Sequence, residues 1–180
     1  MPDRRTRLFI PVLASFIAAA PLLQAADSPR RTIVLAEGWQ VKQLESDRPD
    51  VQALGRELGR SEAGWLSARM PAQVHEILLA HGRISDPRVG KNAADSAWIG
   101  EKDWVYGLRF KTPALAAGGG PIFLRFGGLD TIAAVHLNGT EIGRFADMFM
   151  EHSIEVRGRL RPEGRDNELI IVFSSPLRFT

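Results

Sequence analysis

The chain has 180 residues, of which 44% are hydrophobic and 24% charged, with a mean hydropathy of −0.10. That length can bury a self-sufficient core, but it falls short of a complete (β/α)₈ barrel, which takes at least about 200 residues. The composition excludes a disordered chain, and the absence of cysteine excludes disulfides, thiolate metal sites and a cysteine nucleophile.

Residues 1–26 stand apart from the rest. Arg4, Arg5 and Arg7 precede an uncharged run, Leu8–Ala26, which closes on small residues before Asp27-Ser28-Pro29. A basic start, an apolar middle and a small-residue exit predict a secretory signal peptide. The competing reading is an uncleaved membrane anchor, which Pro11, Pro21 and Gln24 weaken as a helix. No cysteine follows the run to carry a lipid. Cleavage near Ala25 removes three of the 23 basic and one of the 21 acidic residues, leaving 20 of each. The basic pI of about 9.4 is then a property of the leader. No electrostatic argument for nucleic acid remains, nor for a membrane once the leader is gone. The expected location is exported, periplasmic or secreted.

Beyond the leader, two β-prone runs, Thr32–Leu35 and Trp39–Lys42, flank Gly38. Residues 43–64 are polar and read as a surface excursion with a helical turn around Val51–Leu58. Pro71–His81 is predicted as the one short helix. Pro71 suits its first position, Val74, Ile77, Leu78 and His81 share a face, and Gly82 stands where a helix stops. A turn-rich stretch, Asp86–Gly90, leads to an aromatic run, Trp98–Tyr106. From there the pattern alternates with period two: Tyr106, Leu108 and Phe110, then Ile122, Leu124 and Phe126. Gly118-Gly119-Gly120 joins strands as a flexible connection. Ile132–Leu137 and Glu141–Arg144 flank Asn138-Gly139, a type I′ hairpin signal in which both central residues need positive φ. His152–Val156 reads as a strand, and Leu169–Phe173, apolar on both faces, as a central one. Short strands at even spacing predict an antiparallel, all-β sandwich spanning residues 30–180.

Several motifs recur in a fixed order: Trp65-Leu66-Ser67-Ala68-Arg69-Met70-Pro71, Val74-His75, Gly82–Pro87, Gly90-Lys91-Asn92 and Trp98–Tyr106. They continue with Gly128–Ala133, Val135–Gly139 and Asn167–Ile171. Together they resemble the N-terminal, galactose-binding-like domain of glycoside hydrolase family 2, most closely that of β-mannosidases, from about Leu35 to Leu177. Two departures mark a divergent member: Pro71-Ala72 where the family commonly has Pro-Gly, and Phe126-Gly127-Gly128 where it often has a carboxylate. The resemblance implies a jelly-roll β-sandwich, normally the first module of a longer chain. It also implies two catalytic glutamates on a later barrel, and retaining hydrolysis needs their carboxyls about 5–5.5 Å apart. No catalytic residue and no cofactor is expected in these 180 residues. The expected partners are a carbohydrate, as a β-mannoside or related glycan, and the catalytic domains of the same longer chain.

Trp98, Glu101, Asp103 and Trp104, with Tyr106, are the candidate sugar-contacting residues, because aromatic faces beside carboxylates suit a pyranose. The alternative places Trp104 and Tyr106 in the core. Asp130 is expected to cap a tight turn, while Asn138 and Gly139 form the hairpin turn. His75, His81, His136 and His152 lack metal-ligand spacing, and no metal site is expected. Two functions follow: a module of an exported β-mannosidase-like hydrolase, or a stand-alone carbohydrate-binding or interaction domain. The apolar ending, Ser174–Thr180, favours the first.

Overall fold

The computed structural model describes residues 31–60, 63–114 and 119–178; the expected signal peptide, residues 1–26, lies outside them. Among the described residues the strands are β1 (Trp39–Leu44), β2 (Leu66–Ala68), β3 (Asp103–Lys111), β4 (Phe123–Phe126), β5 (Ile132–Leu137), β6 (Thr140–Phe145), β7 (His152–Glu155) and β8 (Asp166–Ser174). Three short helices, α1 (Val51–Glu57), α2 (Val74–Ala80) and α3 (Asn92–Asp95), precede β3 in the chain, and a 3₁₀ turn covers Ala97–Glu101. Six strands form one sheet in the order β2-β1-β3-β8-β5-β6, and β4 pairs with β7 in a second, smaller one. Every pairing is antiparallel.

The apolar run read as a central strand occupies that position. β8 lies between β3 and β5, and Leu169, Ile170, Ile171 and Val172 are all buried. Residues facing one side, among them Val41, Trp104, Tyr106, Val135 and Ile171, join a core that Leu124 and Phe126 of the small sheet cover, together with Ile77 and Leu78 of α2. The other side carries Val105, Ile170 and Val172 beneath Leu54, Leu58 and Trp65. Residues 43–64 are therefore more than a surface excursion, because they bring α1 across the second face. Asp50 caps that helix, its carboxylate accepting the Ala53 N–H at 3.0 Å. The helix can lie this close because Gly107 on β3 has no side chain. A Cβ there would stand 3.2 Å from Leu58 Cγ and 3.3 Å from Ile170 Cδ1.

α2 departs from expectation at its start. The helix begins at Val74 rather than Pro71, since Gln73 and Glu76 form a reciprocal capping box. Its end follows the glycine signal. Arg83 N–H reaches Leu78 O at 2.8 Å and Gly82 N–H reaches Leu79 O at 2.9 Å, with Gly82 at φ +64°. His81 is exposed beyond this face, and its ring Nε2 lies 2.8 Å from Ser67 O of β2. The first β-prone run, Thr32–Leu35, forms no strand. Gly38 at φ 79° turns the chain before β1, and Leu35 O instead accepts the Trp39 indole N–H at 2.7 Å.

The hairpin carries the expected geometry, with Asn138 at φ 54° and Gly139 at φ 81°. Asn138 also ties the turn to the adjoining strand. Its Nδ2 donates to Arg159 O and to Asn167 Oδ1, and its Oδ1 accepts the Glu168 N–H at 3.1 Å. Asn167, fully buried, accepts the Arg161 N–H at 2.9 Å and donates to Thr112 Oγ1 at 2.7 Å.

Candidate functional site

Strand register gathers the start of β3, the start of β5 and the ends of β6 and β8 at one end of the sandwich. There Leu44 pairs with Asp103, Trp104 with Phe173, Ile132 with Ser174 and Ala133 with Phe145. Most candidate residues from the sequence lie at or beside this end. Asn138 and Gly139 lie at the other, beyond the Leu137–Leu169 pair.

The candidates play different parts. Asp103 is 5% exposed, and its carboxylate accepts the Ser175 N–H at 2.7 Å while pairing with the Arg178 guanidinium. Ser175 is buried too, and its hydroxyl donates to Gly100 O at 2.7 Å. Asp103 thus pins the segment that follows β8, a short 3₁₀ turn at Pro176–Arg178, onto the turn before β3. Trp104 is buried in the core, with its indole N–H on Ile99 O at 3.0 Å. Tyr106 is also buried, which pushes its phenol pKa upward. Glu101 is exposed.

Trp98 keeps part of its surface. It tilts against Trp104 at 6.2 Å between ring centroids and lines a shallow pocket of about 230 Å³. Arg83, Ser85, Asn92 and Asp95 supply the polar wall. Asp95 thus supplies the carboxylate that lines the pocket with this tryptophan, and neither Glu101 nor Asp103 is part of that lining. Period-two alternation could not find it, because Asn92 and Asp95 come to the pocket through α3 and Trp98 through the 3₁₀ turn. Neither was Arg178 legible as the partner of Asp103, since nothing in sequence spacing joins positions so far apart.

Asp130 is exposed just ahead of β5, where the Asp130–Thr131 peptide is cis. Its carboxylate accepts the Thr131 hydroxyl rather than the backbone N–H bonds expected of a turn cap. Among the described residues, no group of three or more His, Asp or Glu side chains could hold a metal ion, and no helix is long and apolar enough to cross a membrane.

Two antiparallel sheets around a shared core, with α1 over the outer face of the larger, define a galactose-binding-like β-sandwich. Residues 39–180 match the sequence model of the glycosyl hydrolase 2 galactose-binding domain-like family, and the chain belongs to that family. It is 38% identical over 148 residues to beta-mannosidase B of Thermothelomyces thermophilus, covering 82% of this chain and 15% of that protein. Beta-mannosidase B of Emericella nidulans is 37% identical over 132 residues, covering 73% of this chain and 14% of that protein. Among solved structures, the beta-D-mannosidase from Dictyoglomus thermophilum superposes with a TM-score of 0.66 at 30% identity, over 81% of this chain and 16% of that one. A Ruminococcus gnavus beta-glucuronidase shares the fold at 20% identity and a TM-score of 0.54, over 78% of this chain and 20% of that one. The chain thus spans about one seventh of the length of the curated relatives it matches.

Proposed function

We propose that this chain is the β-sandwich module of an exported β-mannosidase-like glycoside hydrolase, supporting a catalytic barrel and helping to shape the pocket for the terminal sugar. The observation that carries the reading is the similarity to β-mannosidases across about four-fifths of the chain, at 38% identity in sequence and 30% in a solved structure. The glucuronidase likeness, at 20%, concerns the fold alone. The basic and apolar leader at residues 1–26 supports export.

In this reading the sandwich supplies shape rather than acid–base chemistry. The Trp98 pocket offers an aromatic edge with the amide of Asn92 and the carboxylate of Asp95 beside it, groups that suit the CH face and hydroxyls of a pyranose. Asp103 fixes the direction in which the chain leaves β8. A polypeptide continuing from there starts from one defined position at the sugar-facing end.

The test is to capture the native polypeptide from its source cells with antibody to residues 30–180, size it, and assay aryl β-mannoside, β-glucuronide and β-galactoside. A species several times larger than 19.9 kDa that cleaves the mannoside fastest is the expected result. A species just below 19.9 kDa without hydrolysis overturns it in favour of a stand-alone carbohydrate-binding domain. A large species preferring another glycoside keeps the module and replaces the sugar.

A further inference from the structure

The loop between β6 and β7 presents Met148, Phe149 and Met150 to solvent, with Phe149 86% and Met150 58% exposed. Three adjacent apolar side chains are an unusual thing to leave in water, and here the backbone holds them there. Asp147 Oδ1 accepts the Phe149 N–H at 2.8 Å. His152 stacks on Phe145 at 4.0 Å, with its Nε2 3.3 Å from Asp147 O. On the other side, Thr131 Oγ1 reaches Met148 Sδ at 3.9 Å. The chain at Gly128 comes so near that a Cβ there would stand 2.8 Å from the Met148 carbonyl oxygen. Arg125 and Glu151 form an ion pair beside the loop. A loop fixed in this way pays little ordering entropy when something covers it, and a rigid aromatic flanked by adaptable thioethers is the composition of an interface centre.

We propose that Met148-Phe149-Met150 is the docking knob through which this sandwich seats on the catalytic portion of its own longer polypeptide. The inference rests on the function proposed above. Two observations select that occupant. The relatives that match this chain are about seven times its matched length, so in them most of the polypeptide lies outside the matched sandwich and is available to cover such a loop. The loop also stands at the end of the sandwich where β8 finishes, since Phe145 and Phe173 both pair with Ala133. A chain continuing from Arg178 therefore emerges on the loop's own side. A sugar is a poorer fit, because a pyranose needs hydroxyl partners and the exposed tip offers two thioethers and a phenyl ring.

The experiment is peroxide footprinting of the native polypeptide, with Met148 and Met150 sulfoxide measured by mass spectrometry against the same protein in denaturant. Thioether oxidation follows solvent access, so a docked loop should oxidise at least about tenfold more slowly than the unfolded chain. Phe149→Asp should return both methionines to the denatured rate while the β-sheet circular dichroism stays unchanged. Met150 oxidising at the denatured rate in a polypeptide that hydrolyses β-mannosides overturns the docking and leaves the function standing. Protection that disappears on dilution of a two-copy species overturns it in favour of self-association. A native species no larger than 19.9 kDa removes both readings together, and size alone identifies that outcome.

Discussion

Replacing Asp103 separates the two bonds that pin the segment after β8. The Ser175 N–H donates to this carboxylate at 2.7 Å, and both residues are buried, so removing the acceptor leaves an amide without water or partner. A hydrogen bond to a charged group contributes about 1.5–3 kcal/mol. Arg178 is a weaker partner because its side chain is 41% exposed, and a pair so open to solvent adds at most about 1 kcal/mol. Asp103→Ala should therefore cost about 2–4 kcal/mol, whereas Asp103→Asn, which keeps an acceptor for the amide, should cost about 1 kcal/mol. With a urea slope near 2 kcal/mol/M, the midpoint falls by about 1–2 M for alanine and about 0.5 M for asparagine. Tryptophan fluorescence reports the transition, since Trp104 and Trp98 pack just beyond this carboxylate. Raising the salt to about 1 M should narrow the gap between wild type and Asp103→Asn and leave the gap between the two variants unchanged. An alanine midpoint within about 0.2 M of wild type, or an asparagine variant less stable than alanine, refutes the reasoning.

Three further outcomes follow from the same packing. Gly107→Ala drives a methyl into Leu58 and should destabilise by about 1–3 kcal/mol, and Gly107→Ala combined with Leu58→Ala should recover part of the loss in urea unfolding. Asn167→Ala removes short bonds to Arg161, Asn138 and Thr112 and should cost about 3 kcal/mol by the same assay, with strong non-additivity against Thr112→Ala. Burial holds His136 below its ordinary imidazole value, partly offset by Glu141 3.7 Å from its Nε2. The unfolded chain then takes up a proton first, so stability should fall as pH drops below about 6.5, and His136→Phe should flatten that fall between pH 7.5 and 5.5.

The strands were the readable part of this fold. Alternation located β3 and β4 to within two residues, the β-prone runs flanking the Asn-Gly pair located β5 and the hairpin, and the doubly apolar Leu169–Phe173 located the centre of the sheet. Sequence period reports which way a side chain faces relative to its own strand, and nothing about what lies above it. For that reason residues 43–64 looked like surface: the apolar anchors Leu44, Leu54 and Leu58 are scattered among polar residues, and the gap Leu58 fills is opened by a glycine about fifty positions away. The site was harder for the same reason. Aromatic spacing brought out Trp98 and Trp104 together, yet one lines a pocket and the other is core. The carboxylate of Asp103 read as a sugar ligand until Ser175 and Arg178 met it from across the fold. The Met148-Phe149-Met150 run passed unread, because three apolar residues without strand or helix period say nothing of their exposure until the loop between β6 and β7 is placed.

The two borders of the larger sheet bear on how such a module behaves in company. β2 offers only three residues of ladder, Leu66–Ala68. β6 is interrupted opposite Val135 and His136 and shows Glu141 and Arg144, bonded to each other, along its rim. Neither border is a long, flat template for a foreign strand, so sheet-to-sheet polymerisation is disfavoured from both sides. Along these two borders side-chain identity rather than backbone pairing decides what the module meets, which disfavours fibrous assembly by way of the larger sheet.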